Sequence, residues 1–157
     1  CQMTRSGVPV DTITYNAAIS ACEKGQQWQG ALMLLAGMWQ VAVSPDAISY
    51  SATVSACGKE QHWYVAFGLL AAMAGCCITA DVITYNAAIS ACEKGQQWQG
   101  AMALLAKMRH LNILANTITY NAAISACEKG QQWMEALGIF EEMRHIGIVA
   151  DTVTYNE

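Results

Sequence analysis

The sequence predicts an all-α fold, a right-handed α-solenoid superhelix of antiparallel helix-turn-helix repeats. Three observations carry that expectation. Tyr15, Tyr50, Tyr85, Tyr120 and Tyr155 fall at a constant spacing of 35 residues, and Trp28, Trp63, Trp98 and Trp133 keep the same period, as do Met38, Met73, Met108 and Met143. A fixed period of this length marks one supersecondary unit stacked on its copies. Within each period the apolar residues recur at helical spacing, and the only prolines, Pro9 and Pro45, stand outside those stretches. Apolar residues make up 54% of the chain and charged residues 13%, against roughly 25% charged in an average soluble domain. So apolar a chain can bury a continuous core and does not read as disordered.

The units are cut at 12–46, 47–81, 82–116 and 117–151, with 1–11 matching the end of a preceding repeat and 152–157 the start of a further one. The stretch 13–31 recurs unchanged at 83–101. Solenoids generally finish in polar capping repeats, so a chain that starts and stops inside units reads as a window of a longer array.

The first helix of a unit carries its apolar stripe at Tyr15, Ala18, Ile19 and Cys22, the i, i+3, i+4, i+7 pattern of one helical face. Asp11, or the nearby Thr12 and Thr14, can cap its start, and Gly25 can end it. The second helix repeats the spacing at Trp28, Ala31, Leu32, Leu35 and Met38. Ala31, Ala66, Ala101 and Ala136 allow close helix approach, and the tryptophans fill volume between units. A short link follows, with Gly7, Ala42, Cys77, Asn112 and Gly147 in register and then Val43, Ile78, Ile113 and Ile148. Gly and Asn tolerate a left-handed residue at a helix end, whereas Ala42 and Cys77 do so less readily. The second unit departs most: Gly58 stands in the place of Glu23 and Glu60 in that of Gly25, so its first helix is expected to end differently.

Eight Lys or Arg against twelve Asp or Glu give a formal charge of −4 and a pI near 5.3. An extensively basic protein that coats a duplex by charge alone is not expected, while a narrow basic track on an acidic surface is compatible with these numbers. No apolar run reaches the roughly 18 residues of a membrane span, and no basic segment leads into an apolar one at the start. Cys22, Cys57, Cys92 and Cys127 recur once per unit on the apolar stripe. Successive ones should lie about 9–10 Å apart, one helix pair, too far for a disulfide or a shared zinc ion. They read as small core residues. Cys76 and Cys77 sit at a helix end, and His62, His110 and His145 follow no ligand spacing, so no metal or other cofactor is expected. No phosphate loop, nucleophile elbow or zinc-hydrolase helix appears, and Glu141 with Glu142, present only in the last unit, reads as a solvated helix face. Neither an enzyme nor a small-molecule substrate is expected.

Polar residues that repeat without a packing reason form three rows. Asn16, Ser51, Asn86 and Asn121 follow the tyrosine; Asp46, Asp81, Asn116 and Asp151 close the units; Lys24, Lys59, Lys94 and Lys129 stand near the end of the first helix. If first helices line the concave side, the lysines concentrate positive charge into a line, and Asn offers one acceptor and two donors to the edge of an exposed base. Ile13, Ile48, Ile83 and Ile118 lie at the mouth of the same helices, where an aliphatic side chain can pack on a flat base. Ordinary capping and solubility chemistry also explains Asp at a unit boundary and Lys late in a helix. Nucleic-acid binding, protein binding and a plain scaffold all stay open on these rows.

The units resemble pentatricopeptide repeats, the 35-residue helical hairpins of organellar RNA-binding proteins. The likeness lies in Thr14-Tyr15-Asn16, in Lys24 and Gly25, in the alanine-leucine second helix, and in the ending shown best by Met143, Gly147, Ile148 and Asp151. It covers essentially the whole chain. The resemblance implies single-stranded RNA as partner, read one nucleotide per repeat by two side chains. The pairs would be Asn16 with Asp46, Ser51 with Asp81, Asn86 with Asn116 and Asn121 with Asp151. Ile13, Ile48, Ile83 and Ile118 would sandwich bases, and Lys24, Lys59, Lys94 and Lys129 would approach phosphates. By family pairings the chain would read 5′-U-G-(C or U)-U-3′, with Ser51–Asp81 resembling the pair that favours guanine. The resemblance also implies a mitochondrial or chloroplast setting in RNA processing, stability, editing or translation, and no membrane partner. Tetratricopeptide repeats, of 34 residues and usually peptide-binding, are the alternative relation, with protein-protein scaffolding as the alternative function.

Overall fold

The computed structural model describes residues 11–59 and 62–148. Among them the chain forms eight α-helices of 13 residues and no strand. They are α1 (Thr12–Lys24), α2 (Trp28–Gln40), α3 (Ala47–Lys59), α4 (Trp63–Gly75), α5 (Val82–Lys94), α6 (Trp98–His110), α7 (Thr117–Lys129) and α8 (Trp133–His145). Each unit thus holds one helical hairpin. The first helices pack in series, α1 on α3, α3 on α5 and α5 on α7. Each second helix packs on its own first helix, and α2, α4 and α6 also pack on the first helix of the next unit; the backbones of the second helices stand further from one another, with Phe67 of α4 reaching across to Gly100 of α6. The row with continuous contact takes the shorter arc, so the stack is a solenoid whose inner wall is built from first helices.

The amphipathic stripes supply the core between the rows. Ile19, Tyr50, Val54, Tyr85, Ile89, Tyr120 and Ile124 come from first helices, and Leu35, Met38, Leu70, Met73, Leu105, Met108, Ile139 and Met143 from second helices, all buried. Burying one such side chain is worth about 1.5–3 kcal/mol. Cys57, Cys92 and Cys127 are buried and Cys22 half-buried among the packed side chains, while Cys76 and Cys77 are exposed. No buried side-chain nitrogen or oxygen among the described residues lacks a hydrogen-bond partner. No helix of the described residues is long and apolar enough to cross a membrane.

The hairpin turn differs from the sequence expectation in a telling way. Gly25, Gly95 and Gly130 do follow the last helical residue, but with φ near −80°. The left-handed residue is the next one: Gln26, Gln96 and Gln131 have φ of 56°, 55° and 56°. The turn closes as in a Schellman motif, with Gln27 N–H donating to the Cys22 carbonyl at 2.8 Å and Gln26 N–H to that of Glu23 at 3.2 Å. The glycine is needed for space. A Cβ on Gly95 would stand 2.5 Å from Cδ1 of Trp63, and one on Gly130 would stand 2.5 Å from Cδ1 of Trp98. Trp63 and Trp98, at the starts of α4 and α6, therefore seat on the glycine of the following unit. In the second unit Glu60 lies outside the described residues, and there Trp28 stacks on His62 with ring centroids 4.0 Å apart. α3 nevertheless reaches Lys59, the same place in its unit as Lys24, Lys94 and Lys129, and His62 N–H still bonds to the Cys57 carbonyl at 3.3 Å.

The links between units use a left-handed residue too. Ala42, Cys77, Asn112 and Gly147 have φ of 57°, 56°, 55° and 79°, so Ala42 and Cys77 adopt the strained conformation despite their Cβ atoms.

Candidate nucleic-acid interface

The inner wall is set by helix periodicity. Tyr15, Ile19 and Cys22 turn into the core, which leaves Ile13, Asn16, Ser20 and Glu23 of α1 on the opposite face, three or four residues apart. The same holds for each later first helix. Ile13, Ile48, Ile83 and Ile118 are 76%, 63%, 64% and 64% exposed. Four large aliphatic side chains held in solvent at one register have no role in the core.

The residue that closes a unit caps the next first helix. Asp11, Asp46, Asp81 and Asn116 accept the N–H of Thr14, Ser49, Thr84 and Thr119 at 2.9, 2.9, 2.9 and 3.0 Å, so the capping explanation of this row holds. Asp46 and Asn116 also meet the asparagine row. Asn16 Nδ2 donates to both carboxylate oxygens of Asp46 at 3.1 and 3.2 Å, and the Ser49 hydroxyl donates to Asn16 Oδ1 at 2.5 Å. One repeat pair further on, Asn86 Nδ2 donates to Asn116 Oδ1 at 3.3 Å and the Thr119 hydroxyl to Asn86 Oδ1 at 2.6 Å. Cap, hydroxyl and amide thus form a triangle that fixes which end of the Asn side chain points where. The Asn86 amide, with one N–H given to Asn116, keeps a second N–H and a second lone pair on its carbonyl oxygen for another molecule.

Ser51 and Asp81 are placed differently. The serine is too short to span the gap, and no hydrogen bond joins the two among the described residues. The Thr84 hydroxyl turns to the Asp81 carboxylate instead, at 2.7 Å. The space left where an Asn would stand is part of a groove of 340 Å³ lined by Ile48, Ser51, Asp81 and Ile83 together with Ser20 and Glu23. Asn121 lies on the inner face of α7 in the same register, and its counterpart Asp151 falls outside the described residues.

Burial pushes the Asp46 carboxyl up, but hydrogen bonds from Ser49 N–H, the Asn16 amide and the Ser49 hydroxyl outweigh it and hold the group below its ordinary value. At Asp81 burial is likewise overcome, here by Thr84 N–H and the Thr84 hydroxyl. Both caps are carboxylates at neutral pH.

The lysine row is paired by the glutamates of the preceding unit. Lys59 Nζ lies 3.4 Å from Glu23 Oε1, and Lys129 Nζ 2.6 Å from Glu93 Oε1. Lys24 and Lys94 are exposed at the ends of α1 and α5. Among the described residues no three His, Cys, Asp or Glu side chains gather as a metal-binding cluster.

Two family descriptions match the chain: the PPR repeat family over residues 80–129 and 115–156, and the pentatricopeptide repeat domain over residues 1–60. The chain belongs to the pentatricopeptide repeat family. No curated protein matches it in sequence. Among solved structures it is similar to the pentatricopeptide repeat protein PPR10 in complex with an 18-nt psaJ RNA element, at 26% identity and a TM-score of 0.85, over 96% of this chain and 22% of that one. PPR10 from maize matches at 20% identity and a TM-score of 0.85, over 98% of this chain and 22% of the other. The pentatricopeptide repeat domain of Arabidopsis thaliana protein-only RNase P 1, in complex with tRNA, matches at 13% identity and a TM-score of 0.84, over 98% of this chain and 81% of the other. The chain spans about a fifth of the length of the PPR10 structures.

Within this pentatricopeptide repeat chain, sequence reasoning missed the hydroxyls of Ser49 and Thr119 and the glutamates Glu23 and Glu93. The signal for both was present. A hydroxyl recurs three residues after every unit-closing Asp or Asn, at Thr14, Ser49, Thr84 and Thr119, and a glutamate precedes Lys24, Lys94 and Lys129.

Proposed function

We propose that the inner wall binds single-stranded RNA, one nucleotide to a repeat. The observation that carries the reading is the Asn16–Asp46 and Asn86–Asn116 pairing, in which the two rows meet side by side in the first and third units. The likeness to PPR10, whose structure holds an RNA element, supports the ligand class. Asn16, Ser51, Asn86 and Asn121 would meet the base edge, and Asp46, Asp81, Asn116 and Asp151 would orient or complement them. A base entering between Ile13 and Ile48, or between Ile48 and Ile83, would cover aliphatic surface that is otherwise in water. Stacking of this kind with aromatic side chains is worth about 1–3 kcal/mol per base, and aliphatic side chains supply the area without the ring. The chain would act as a binding module in organellar RNA metabolism, not as an enzyme, and the preferred string is 5′-U-G-(C or U)-U-3′.

Anisotropy titration tests this with a labelled ten-nucleotide RNA carrying U-G-C-U, beside a scrambled RNA and the matched DNA. Preference for the U-G-C-U RNA, weakened in a variant with Asn16, Asn86 and Asn121 changed to Ala, is the expected result. Equal affinity for all three oligonucleotides in a folded protein would overturn sequence reading. No RNA binding at low salt would overturn the RNA reading for this chain and direct attention to peptide ligands.

A further inference from the structure

The three junctions between first helices are not equivalent in charge. At the first, the Ser55 hydroxyl donates to Glu23 Oε1 at 2.8 Å, and Lys59 reaches the same carboxylate and also donates to the Glu23 carbonyl oxygen at 3.1 Å. At the third, Ser125 and Lys129 meet Glu93 Oε1 at 3.2 and 2.6 Å. The middle junction keeps the serine and the lysine, as Ser90 and Lys94, but its carboxylate is replaced by Gly58. The backbones have closed on the vacated place: a Cβ on Gly58 would stand 2.7 Å from the Ala87 carbonyl oxygen. Of the three lysines that have a preceding unit in the sequence, Lys94 alone has no carboxylate partner among the described residues.

We propose that Glu23 and Glu93 occupy Lys59 and Lys129 as built-in competitors of phosphate, so that, of these three lysines, Lys94, at the junction of the second and third units, is the one that grips the sugar-phosphate backbone of a bound strand. This rests on the RNA reading given above. A lysine held 2.6 Å from a carboxylate is half of a neutral pair. A phosphate can use it only by displacing the glutamate, whose charge stays close by and repels the newcomer. Lys94 presents its whole charge and releases a counterion when a phosphate arrives, which is the step that makes such binding salt-dependent. The glutamates thus set where along the array the strand is held, and they account for a lysine row in a chain of net negative charge.

The test is anisotropy titration of the 157-residue chain with the U-G-C-U RNA over a series of salt concentrations, for wild type, Lys59→Gln, Lys94→Gln, Lys129→Gln, Glu23→Gln and Glu93→Gln, each checked for helicity by circular dichroism. Lys94→Gln should weaken binding several-fold and reduce the slope of log affinity against log salt by about 0.7, the value for one phosphate contact on a single strand. Lys59→Gln and Lys129→Gln should stay within about twofold of wild type, and Glu23→Gln and Glu93→Gln should bind more tightly with a steeper slope. Equal losses at all three lysines, or unchanged affinity in both glutamate variants, would overturn the proposal while leaving RNA binding standing. Absence of binding by wild type would overturn the RNA reading and this proposal with it.

Discussion

Asn16 and Asp46, 30 residues apart in sequence, are joined by two hydrogen bonds of 3.1 and 3.2 Å. The same carboxylate caps α3 through Ser49 N–H at 2.9 Å. One side chain therefore starts a helix and orients the amide of the preceding unit. These roles separate by substitution. Asp46→Ala removes both and should cost about 1 kcal/mol of stability, the usual worth of an N-cap. Asp46→Asn keeps the cap, as Asn116 shows at 3.0 Å from Thr119 N–H, and should stay within about 0.5 kcal/mol of wild type. Its base preference at the first unit should nevertheless change, because a carboxylate that only accepts becomes an amide that also donates. Denaturant melts and titrations with RNAs altered at one base check the two halves. Equal destabilisation by both substitutions would refute the capping account.

Acid should weaken the stack through the same groups. Asp11, Asp46 and Asp81 all have carboxyls held below their ordinary value: Asp11 by Thr14 N–H and hydroxyl, the other two by the bonds that overcome burial. A group whose value is lower in the folded chain than in the unfolded one stabilises fully above the unfolded value, and that contribution is lost as pH falls through the folded one. The thermal midpoint should therefore be insensitive to these groups between about pH 7 and 5 and fall once pH drops below about 4, where free Asp titrates. The double variant Asp46→Asn, Asp81→Asn should show a shallower acid limb when melts are followed by circular dichroism across that range. An acid limb identical to wild type would place the loss in other carboxylates.

Thiol reactivity should divide the cysteines by position in the hairpin. Burial pushes the Cys92 thiol up to about 12. Burial, then the charge of Glu135, pushes Cys127 up to about 11. At pH 8 neither supplies thiolate, and neither is open to a reagent. Cys76 and Cys77 sit exposed at the end of α4. Iodoacetamide at pH 8 should label Cys76 and Cys77 in the native chain, and Cys92 with Cys127 only after denaturant is added, as read by peptide mass spectrometry. Native labelling of Cys92 as fast as Cys77 would contradict its place in the core.

The hairpins, the stripes and the rows were legible because each repeats at one period, and a residue seen four times at one register declares its face. Ile19, Met38 and Tyr85 fell in the core where helical spacing put them. What escaped was geometry between units. Trp63 and Gly95 are 32 residues apart in sequence and touch only because one unit seats on the next. The ion pair of Lys129 with Glu93 likewise crosses a junction, and helical periodicity says nothing about the neighbour across it. Ser51 shows the remaining limit: its row was evident, yet the groove beside it depends on an atom count, two fewer heavy atoms than Asn.

The turn between paired helices offers a test in which neighbouring substitutions act in opposite directions. Gly130 has an ordinary φ of −82° but no room for a side chain, since a Cβ would stand 2.5 Å from Trp98 Cδ1 and 3.0 Å from its Cγ. Gln131, next to it, has room on the surface but a left-handed φ of 56°. Gly130→Ala should destabilise the chain by about 1–3 kcal/mol, because the indole must leave its seat. The emission of Trp98 should change with it. Gln131→Gly should stabilise by about 0.5–1 kcal/mol, the roughly 1–2 kcal/mol of left-handed strain less the greater freedom of glycine in the unfolded chain. A reading from the sequence alone gives the reverse order, since it places the conformational demand on the glycine. Denaturant melts of the two variants decide between them: a tolerated alanine at 130 together with a harmful glycine at 131 would show that the glycine is there for its backbone and not for the tryptophan of the unit before.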